Sequence, residues 1–529
     1  MKEHYIMAIF YVTIFVCLSF VYSKNALHMF QQQHYELKRY TKWLFNKNNI
    51  HFSPVFIYFA LELVIFLINC IGIIDSRICL LISLAITIGF TIYVLHKETK
   101  KHYIKDLVLT GRVKRQIFVF TILLIIATYL FLLLEKYYFT GLFSIYAPYL
   151  LVYPMALITW PIEELFKKFY ENDARKKLAE LTNLRKIGVT GSFGKTSTKN
   201  IINDIIGDNY FTLITPASYN TPMGITRTVR ELLKPIHEVF VCEMGADKVG
   251  DISYLMDFVK PEFGVVTSIG EQHLQTFKSL NNIINEKMQE IEKLPANGVG
   301  FINLDNEYIA NYQIKNTCKI VSVGIENLSA DLVAKNIKYT NEGSNFSVKI
   351  GRKNYKFTTK LLGKHNITNI LIGIAIAMEL GIDIEDIVKN VSNVRQVEHR
   401  LEVKTINGLT IIDDAFNSNP VGSKMAIDVL SNMSGLRVCC TPGMIDLGEV
   451  QDTKNYEFGK YMVGKVDFVL LVGEKQTKAI ANGLKDAGFD MDKVRIFKTV
   501  NDALHYAYTK FSADTTVLLE NDLPDAFNV

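Results

Sequence analysis

Two rhythms of apolar and polar residues divide the chain. Before Trp160 the apolar residues come in long runs, at 6–21, 55–74, 78–95, 117–134 and 142–158. Each is close to the ~20 residues that a membrane-crossing helix needs. After residue 185 the apolar runs are short and β-branched, at 187–190, 211–215, 239–243, 263–268 and 298–303. Helix-period patterns at 195–206, 221–233, 251–258 and 280–294 separate them. That alternation predicts a parallel sheet covered by helices on both faces, with ligands held at the carboxyl ends of its strands. A further break falls near Val394. Two apolar strands around Asn407-Gly408 read as a hairpin, and strand patterns at 436–441, 468–472, 494–497 and 516–520 predict a second, smaller α/β unit of Rossmann type.

Charge orients the first part. The segment after the first run carries Lys24, Lys38, Arg39, Lys42 and Lys47, and the one after the third carries Lys97, Lys100, Lys101, Lys105, Arg112, Lys114 and Arg115. The intervening connections, 75–77 and 135–141, are short and nearly unbiased. Basic loops stay on the cytoplasmic side, which puts the N-terminus outside and everything after Trp160 inside. The first run has the length of a signal peptide, but no small-residue cleavage site follows it, so it is expected to be a retained span. Glu62 lies within the second run, where a carboxylate is by default a functional candidate, and Pro148 and Pro154 should kink the fifth or mark a re-entrant piece. The charged helical pattern at 161–184 reads as a linker along the membrane surface.

Composition narrows the classes without choosing among them. A chain of 529 residues is too long for one core, and a formal charge of +5 with no basic tract gives no sign of nucleic-acid binding. The seven cysteines show no Cys-x-x-Cys spacing, which argues against a zinc site or a disulfide framework.

The chemistry concentrates in Lys186-Ile-Gly-Val-Thr-Gly-Ser-Phe-Gly-Lys-Thr-Ser-Thr198. A β-branched strand breaks into a turn at Gly191, Ser192, Phe193 and Gly194, and a helix starts at Lys195. Backbone N–H groups of such a turn and the positive helix end cradle polyphosphate, Lys195 reaches its outer phosphates, and the Thr196 hydroxyl holds Mg²⁺. The spacing is Thr-Gly-x-x-Gly-Lys-Thr, shorter than the common nucleotide-binding loop. Glu243 and the run Thr267-Ser-Ile-Gly-Glu-Gln-His273 end two other strands of the same predicted sheet, a carboxylate and a histidine suited to Mg²⁺ ligation. Lys287, by spacing alone, reads as a helix-surface lysine.

Taken together, Thr190-Gly-Ser-Phe-Gly-Lys-Thr-Ser, Glu243-Met-Gly-Ala, Thr267-Ser-Ile-Gly-Glu-Gln-His-Leu, Gly363-Lys-His-Asn-Ile-Thr-Asn, His399-Arg-Leu-Glu and Asp413-Asp-Ala-Phe-Asn-Ser-Asn-Pro resemble the Mur ligase family, in the family's order, from about residue 186 onward. Its members are ATP-dependent amide ligases of bacterial cell-wall synthesis, and the likeness is strongest to those that add D-alanyl-D-alanine. The apolar runs and charges set a membrane region at 1–160 and a linker at 161–184, and the resemblance implies a central ATP-binding domain at 185–397 and a C-terminal domain at 398–529. It implies that Gly191, Ser192, Phe193, Gly194, Lys195, Thr196 and Ser197 bind the phosphates. Asn303 and Asp305 would belong to the nucleotide pocket, His365 and Asn366 would contact adenine, Asp414 the ribose, and Arg400 the γ-phosphate. Thr196, Glu243, His273 and a carbamate on Lys287 would hold Mg²⁺, and Asn417 and Asn419 would shape the amine site. The implied reaction joins a carboxylate, through an acyl phosphate, to an amino acid or dipeptide, with catalysis resting on Lys195, His273, Lys287 and Arg400. Soluble members carry a UDP-sugar-binding domain where this chain has apolar runs. The expected acceptor is therefore lipid-linked or membrane-bound, and the enzyme a multi-pass protein of a bacterial cell membrane with its ligase on the cytoplasmic face. A poly-γ-glutamate-type synthetase is the alternative. An ATP-driven transporter or sensor would show a Leu-Ser-Gly-Gly signature, which the chain lacks.

Overall fold

The computed structural model describes Ser19, residues 22–45, 52–99, 107–133, 140–272, 274–340, 343–396, 399–415 and 420–445, Leu447, and residues 450–521. Two compact units are present, Met1–Phe169 and Tyr170–Val529.

The first unit is helical: Leu37–Leu44, Phe52–Ile71, Ser76–Thr99, Gly111–Leu133 and the start of Thr140–Glu180. Of the five expected spans, the first lies largely outside the described residues. Among those described, one segment, Gly111–Leu130, is long and apolar enough to cross a membrane; Ala60–Ile71 and Arg77–Phe90 are shorter apolar helices. The fifth run and the linker are one continuous 41-residue helix, which passes through Pro148, Pro154 and Pro161. Glu62 is buried in the hairpin of the second and third runs. It accepts hydrogen bonds from Ser83 Oγ at 2.7 Å and Thr87 Oγ1 at 3.4 Å, and Tyr58 shares a 2.9 Å bond with Thr87.

In the second unit two sheets follow the alternating pattern. Strands β1 (Arg185–Thr190), β2 (Thr212–Ile214), β3 (Val239–Glu243), β4 (Phe263–Val266), β5 (Val299–Asn303), β6 (Lys319–Gly324), β7 (Leu332–Thr340), β8 (Gly343–Ile350) and β9 (Lys353–Thr359) lie in the order β2-β3-β1-β4-β5-β6-β7-β8-β9. The part from β2 to β7 is parallel, and β7, β8 and β9 form an antiparallel meander. β1 sits centrally, with Val189 opposite Glu243 on one side and Val265 on the other. That register brings the ends of β1, β3 and β4 to one edge.

The helix Lys195–Ile206 buries Ile201, Ile202, Ile205 and Ile206 against one face of the sheet. Beside it runs Lys364–Glu379, apolar nearly all round and buried accordingly. On the other face pack Pro222–Glu231, Asp251–Val259 and Leu280–Glu292.

The second sheet has the order β10-β11-β15-β12-β13-β14. Its strands are β10 (Glu402–Ile406), β11 (Leu409–Asp414), β12 (Leu436–Thr441), β13 (Phe468–Val472), β14 (Val494–Phe497) and β15 (Thr515–Glu520). β10 and β11 form the antiparallel hairpin expected around Asn407-Gly408, and the remaining pairs are parallel.

Candidate active site

β1 ends in a loop that no side chain could fit at its first position. Gly191 has φ +149°, and a Cβ there would come within 2.1 Å of Thr267 Oγ1. The turn is laced to the end of β4. Ser192 N–H donates to the Ser268 carbonyl at 2.7 Å, Phe193 N–H to Ser268 Oγ at 3.2 Å, and Thr267 Oγ1 to the Phe193 carbonyl at 2.6 Å. Gly194, at φ +82°, caps the helix, and Ser197 is buried in its first turn. This is the strand, turn and helix the sequence predicts, with N–H groups of the helix start left for an anion.

Cations crowd this loop. Lys195 Nζ donates to the carbonyls of Gly191 at 2.8 Å and Ser192 at 3.3 Å. Burial pushes its amine below the ordinary lysine range, Glu243 opposes that shift, and the Arg400 guanidinium adds to it. Lys287 is buried rather than on the helix surface, which corrects the reading from spacing. Its amine is lowered to about 7, first by burial and then by the charge of Lys195, against Glu286, Asp247 and Glu290. His365 is held down to about 4 by burial and then by Arg400, and its Nδ1 has no partner. The structure thus gathers Lys195, Lys287, His365 and Arg400, from both domains of the second unit, into one field.

Glu243 does not stand alone. Its Oε2 accepts Lys199 Nζ at 3.1 Å, both side chains 1% exposed, and its Oε1 accepts Asn220 Nδ2 at 3.0 Å. Sequence reasoning missed Lys199 and Asn220. The signal for Lys199 was its place one helical turn after Lys195.

Asn369 was also missed as a single residue, though it closes the Gly363 motif. It is buried, Nδ2 has no partner, and a Cβ on Gly194 would lie 3.6 Å from its Oδ1. Asn366, one turn earlier, is buried and donates to the Leu362 carbonyl at 2.8 Å.

Asn303 and Asp305 brace the site. Asn303 Nδ2 donates to the Thr267 carbonyl at 3.1 Å, and the Asp305 carboxylate accepts N–H groups of Ile325, Glu326 and Asn327 at 2.7–3.0 Å. Asp414 accepts Leu401 N–H at 3.1 Å, fixing the backbone beside Arg400. His399, Glu402 and Asp413 lie close enough together to hold a metal ion, but their cation is Lys404, 2.8 Å from Glu402 and 3.1 Å from Asp413. His273, Asn417 and Asn419 lie outside the described residues.

The donors suit the implied groups. Thr196 and Glu243 are oxygen ligands of the kind Mg²⁺ takes. The orphaned His365 Nδ1 and Asn369 Nδ2, and cations that depress one another, are what a nucleotide polyphosphate would satisfy.

Comparison with known proteins agrees. Residues 189–377 match the Mur ligase middle domain, and 399–520 match the Mur ligase glutamate ligase domain. The UDP-N-acetylmuramoyl-tripeptide–D-alanyl-D-alanine ligase of Bacillus subtilis (strain 168) is 31% identical over 351 residues, covering 66% of this chain and 75% of that one. The chain belongs to the Mur ligase family. As such it is an ATP-dependent, ADP-forming amide ligase. The enzyme of the same name from Escherichia coli (strain K12) is 28% identical over 335 residues, covering 61% of this chain and 74% of that one. Among solved structures, the MurF ligase from Thermotoga maritima in complex with ADP aligns with a TM-score of 0.60 at 22% identity, covering 67% of this chain and 80% of that one. MurF from Acinetobacter baumannii aligns at 0.59 and 24%, covering 67% and 77%. At those identities the structural likeness concerns the fold alone.

Proposed function

We propose that this Mur ligase joins the carboxylate of a membrane-presented muramoyl peptide or glycan to a dipeptide of the D-alanyl-D-alanine type, in bacterial envelope synthesis. The observation that carries the reading is the crowding of cationic groups at the phosphate loop, where Lys195 lowers the proton affinity of Lys287 and Arg400 lowers that of Lys195 and His365. The positive charge of Lys195 and Arg400 there favours a polyphosphate and the anionic transition state of phosphoryl transfer. Lys195 and Arg400 would offset charge on the γ-phosphate as the acceptor carboxylate attacks it. Thr196, Glu243, His273 and a carbamylated Lys287 would hold Mg²⁺, which supplies further charge neutralisation. His365 and Asn366 would seat the base, Asn369 would face the phosphates beside Gly194, and Asp414 would hold the ribose. The amine then attacks the acyl phosphate and expels phosphate. Asn417 and Asn419 would orient that amine. The dipeptide reading rests on the names of the relatives.

Membrane placement is supported by the apolar surface of the first unit. Phe118, Ile125 and Leu130 are exposed on Gly111–Leu130, while Glu62, Ser83, Thr87, Gln116 and Thr128 are buried. Apolar side chains facing out, with polar ones buried, suit lipid. We place the ligase on the cytoplasmic face, where the basic loops would attract anionic headgroups or a lipid pyrophosphate.

The test is the purified chain in detergent with ATP, D-alanyl-D-alanine or other amines, and either lipid extracts or a UDP-muramoyl peptide, reading ADP release and product mass. A mass gain of one dipeptide on a lipid-linked acceptor is expected. ADP release that never depends on an amine would refute the ligase assignment for these substrates.

A further inference from the structure

Lys199 is a buried lysine whose bonds are all made. Its Nζ donates to the Thr215 carbonyl at 2.7 Å, the Ala217 carbonyl at 2.7 Å and Glu243 Oε2 at 3.1 Å, three acceptors for three protons. The loop after β2 is bent to serve it: Ala217 takes φ +43°, a conformation a non-glycine residue seldom adopts. The same loop supplies Asn220, whose Nδ2 reaches Glu243 Oε1 at 3.0 Å and whose carbonyl accepts Gly245 N–H at 2.8 Å. Both oxygens of Glu243 are therefore engaged, and its charge is matched by an ammonium inside the protein.

A buried carboxylate without a counter-ion would be a strong trap for any divalent cation. One already paired has little net charge to offer, so a metal arriving there needs other anionic ligands. Resting on the reading of this site as a Mg·ATP site, we propose that Lys199 is a positioning residue that holds Glu243 oriented and charge-balanced, so that the divalent cation enters with the nucleotide and not before it. Lys195 and Lys199 then divide the work of one helix face: the first turn meets the nucleotide, the second governs the metal ligand.

The experiment uses the full chain in detergent and Mn²⁺ as the probe, titrated by electron paramagnetic resonance without nucleotide. Wild type is expected to show no nucleotide-free Mn²⁺ bound below about millimolar concentration, and Lys199→Met to bind it about tenfold more tightly or better, since ligand charge sets affinity. The gain should vanish in the double variant Lys199→Met/Glu243→Gln. Equal nucleotide-free affinity in wild type and a natively melting Lys199→Met would overturn the proposal. If Lys199→Met does not fold, wild type decides: tight nucleotide-free Mn²⁺ that is lost in Glu243→Gln would overturn it, and its absence supports it. Binding of a fluorescent ATP analogue to wild type separately tests the underlying nucleotide reading, so a failure of one is not mistaken for a failure of the other.

Discussion

Lys287 shows how burial converts an ordinary side chain into a reagent. An amine lowered from 10.5 to about 7 is free base through much of the neutral range, and only the free base adds CO₂. Carbamate on Lys287 should therefore be lost as pH falls through about 7 and gained as pH rises above it. The check is Mg²⁺-dependent ligation in CO₂-depleted and bicarbonate-supplemented buffer across that range, with rescue of Lys287→Ala by a small carboxylate such as acetate. A flat response to bicarbonate and no rescue would remove the carbamate from the account. Lys195→Ala should cut kcat about a hundredfold or more, as loss of one preorganised charge at a transition state does, with thermal unfolding unchanged. The motifs made Lys195, Glu243, His365 and Arg400 legible as single residues. Lys199 and Asn220 were not: spacing puts Lys199 one helical turn after Lys195, but its partner depends on which strand ends the sheet brings together.

At the scale of elements, the parallel core was legible because its strands are short, β-branched and bounded by helical periods. The helix 195–206 and strands at 239–243, 436–441, 468–472 and 494–497 fall where the pattern puts them. The meander β7–β9 went unread. Its alternation is diluted by lysines and asparagines on the open face, as in Leu332–Thr340, where burial alternates only in part. Close packing also explains what no pattern shows. Gly188 in β1 lies under Glu290, a fully buried carboxyl with no partner on either oxygen, and a Cβ there would stand 1.9 Å from Glu290 Oε1. Burial raises that carboxyl to about 8, so it sits uncharged at neutral pH. Gly188→Ala should cost about 1–3 kcal/mol through overpacking, and Gly188→Ala/Glu290→Ala should recover most of it. Thermal unfolding of both in detergent reads the difference, and additive losses would show that the two positions do not meet.

At the scale of the whole molecule, the question is what the N-terminal unit adds to the two Mur ligase domains matched at 189–377 and 399–520. An anchor needs one helix, and among the described residues Gly111–Leu130 has the length and mean hydropathy for it, at 20 residues and 1.7. Yet the unit also buries a carboxylate with two hydroxyl partners, and it carries Arg115 clamped on Glu163 at 2.7 Å. A buried carboxylate costs stability in an apolar setting, and a plain anchor has no need of one. Replacing residues 1–160 by one unrelated transmembrane helix separates the two roles. If the unit presents the acceptor, ligation to the membrane acceptor should fall by about tenfold or more, the scale of a lost binding contact of 1.4 kcal/mol, while binding of an ATP analogue stays unchanged. Ligation at the original rate with the single helix would mean that the unit only tethers the enzyme, and that acceptor recognition resides wholly in the two ligase domains.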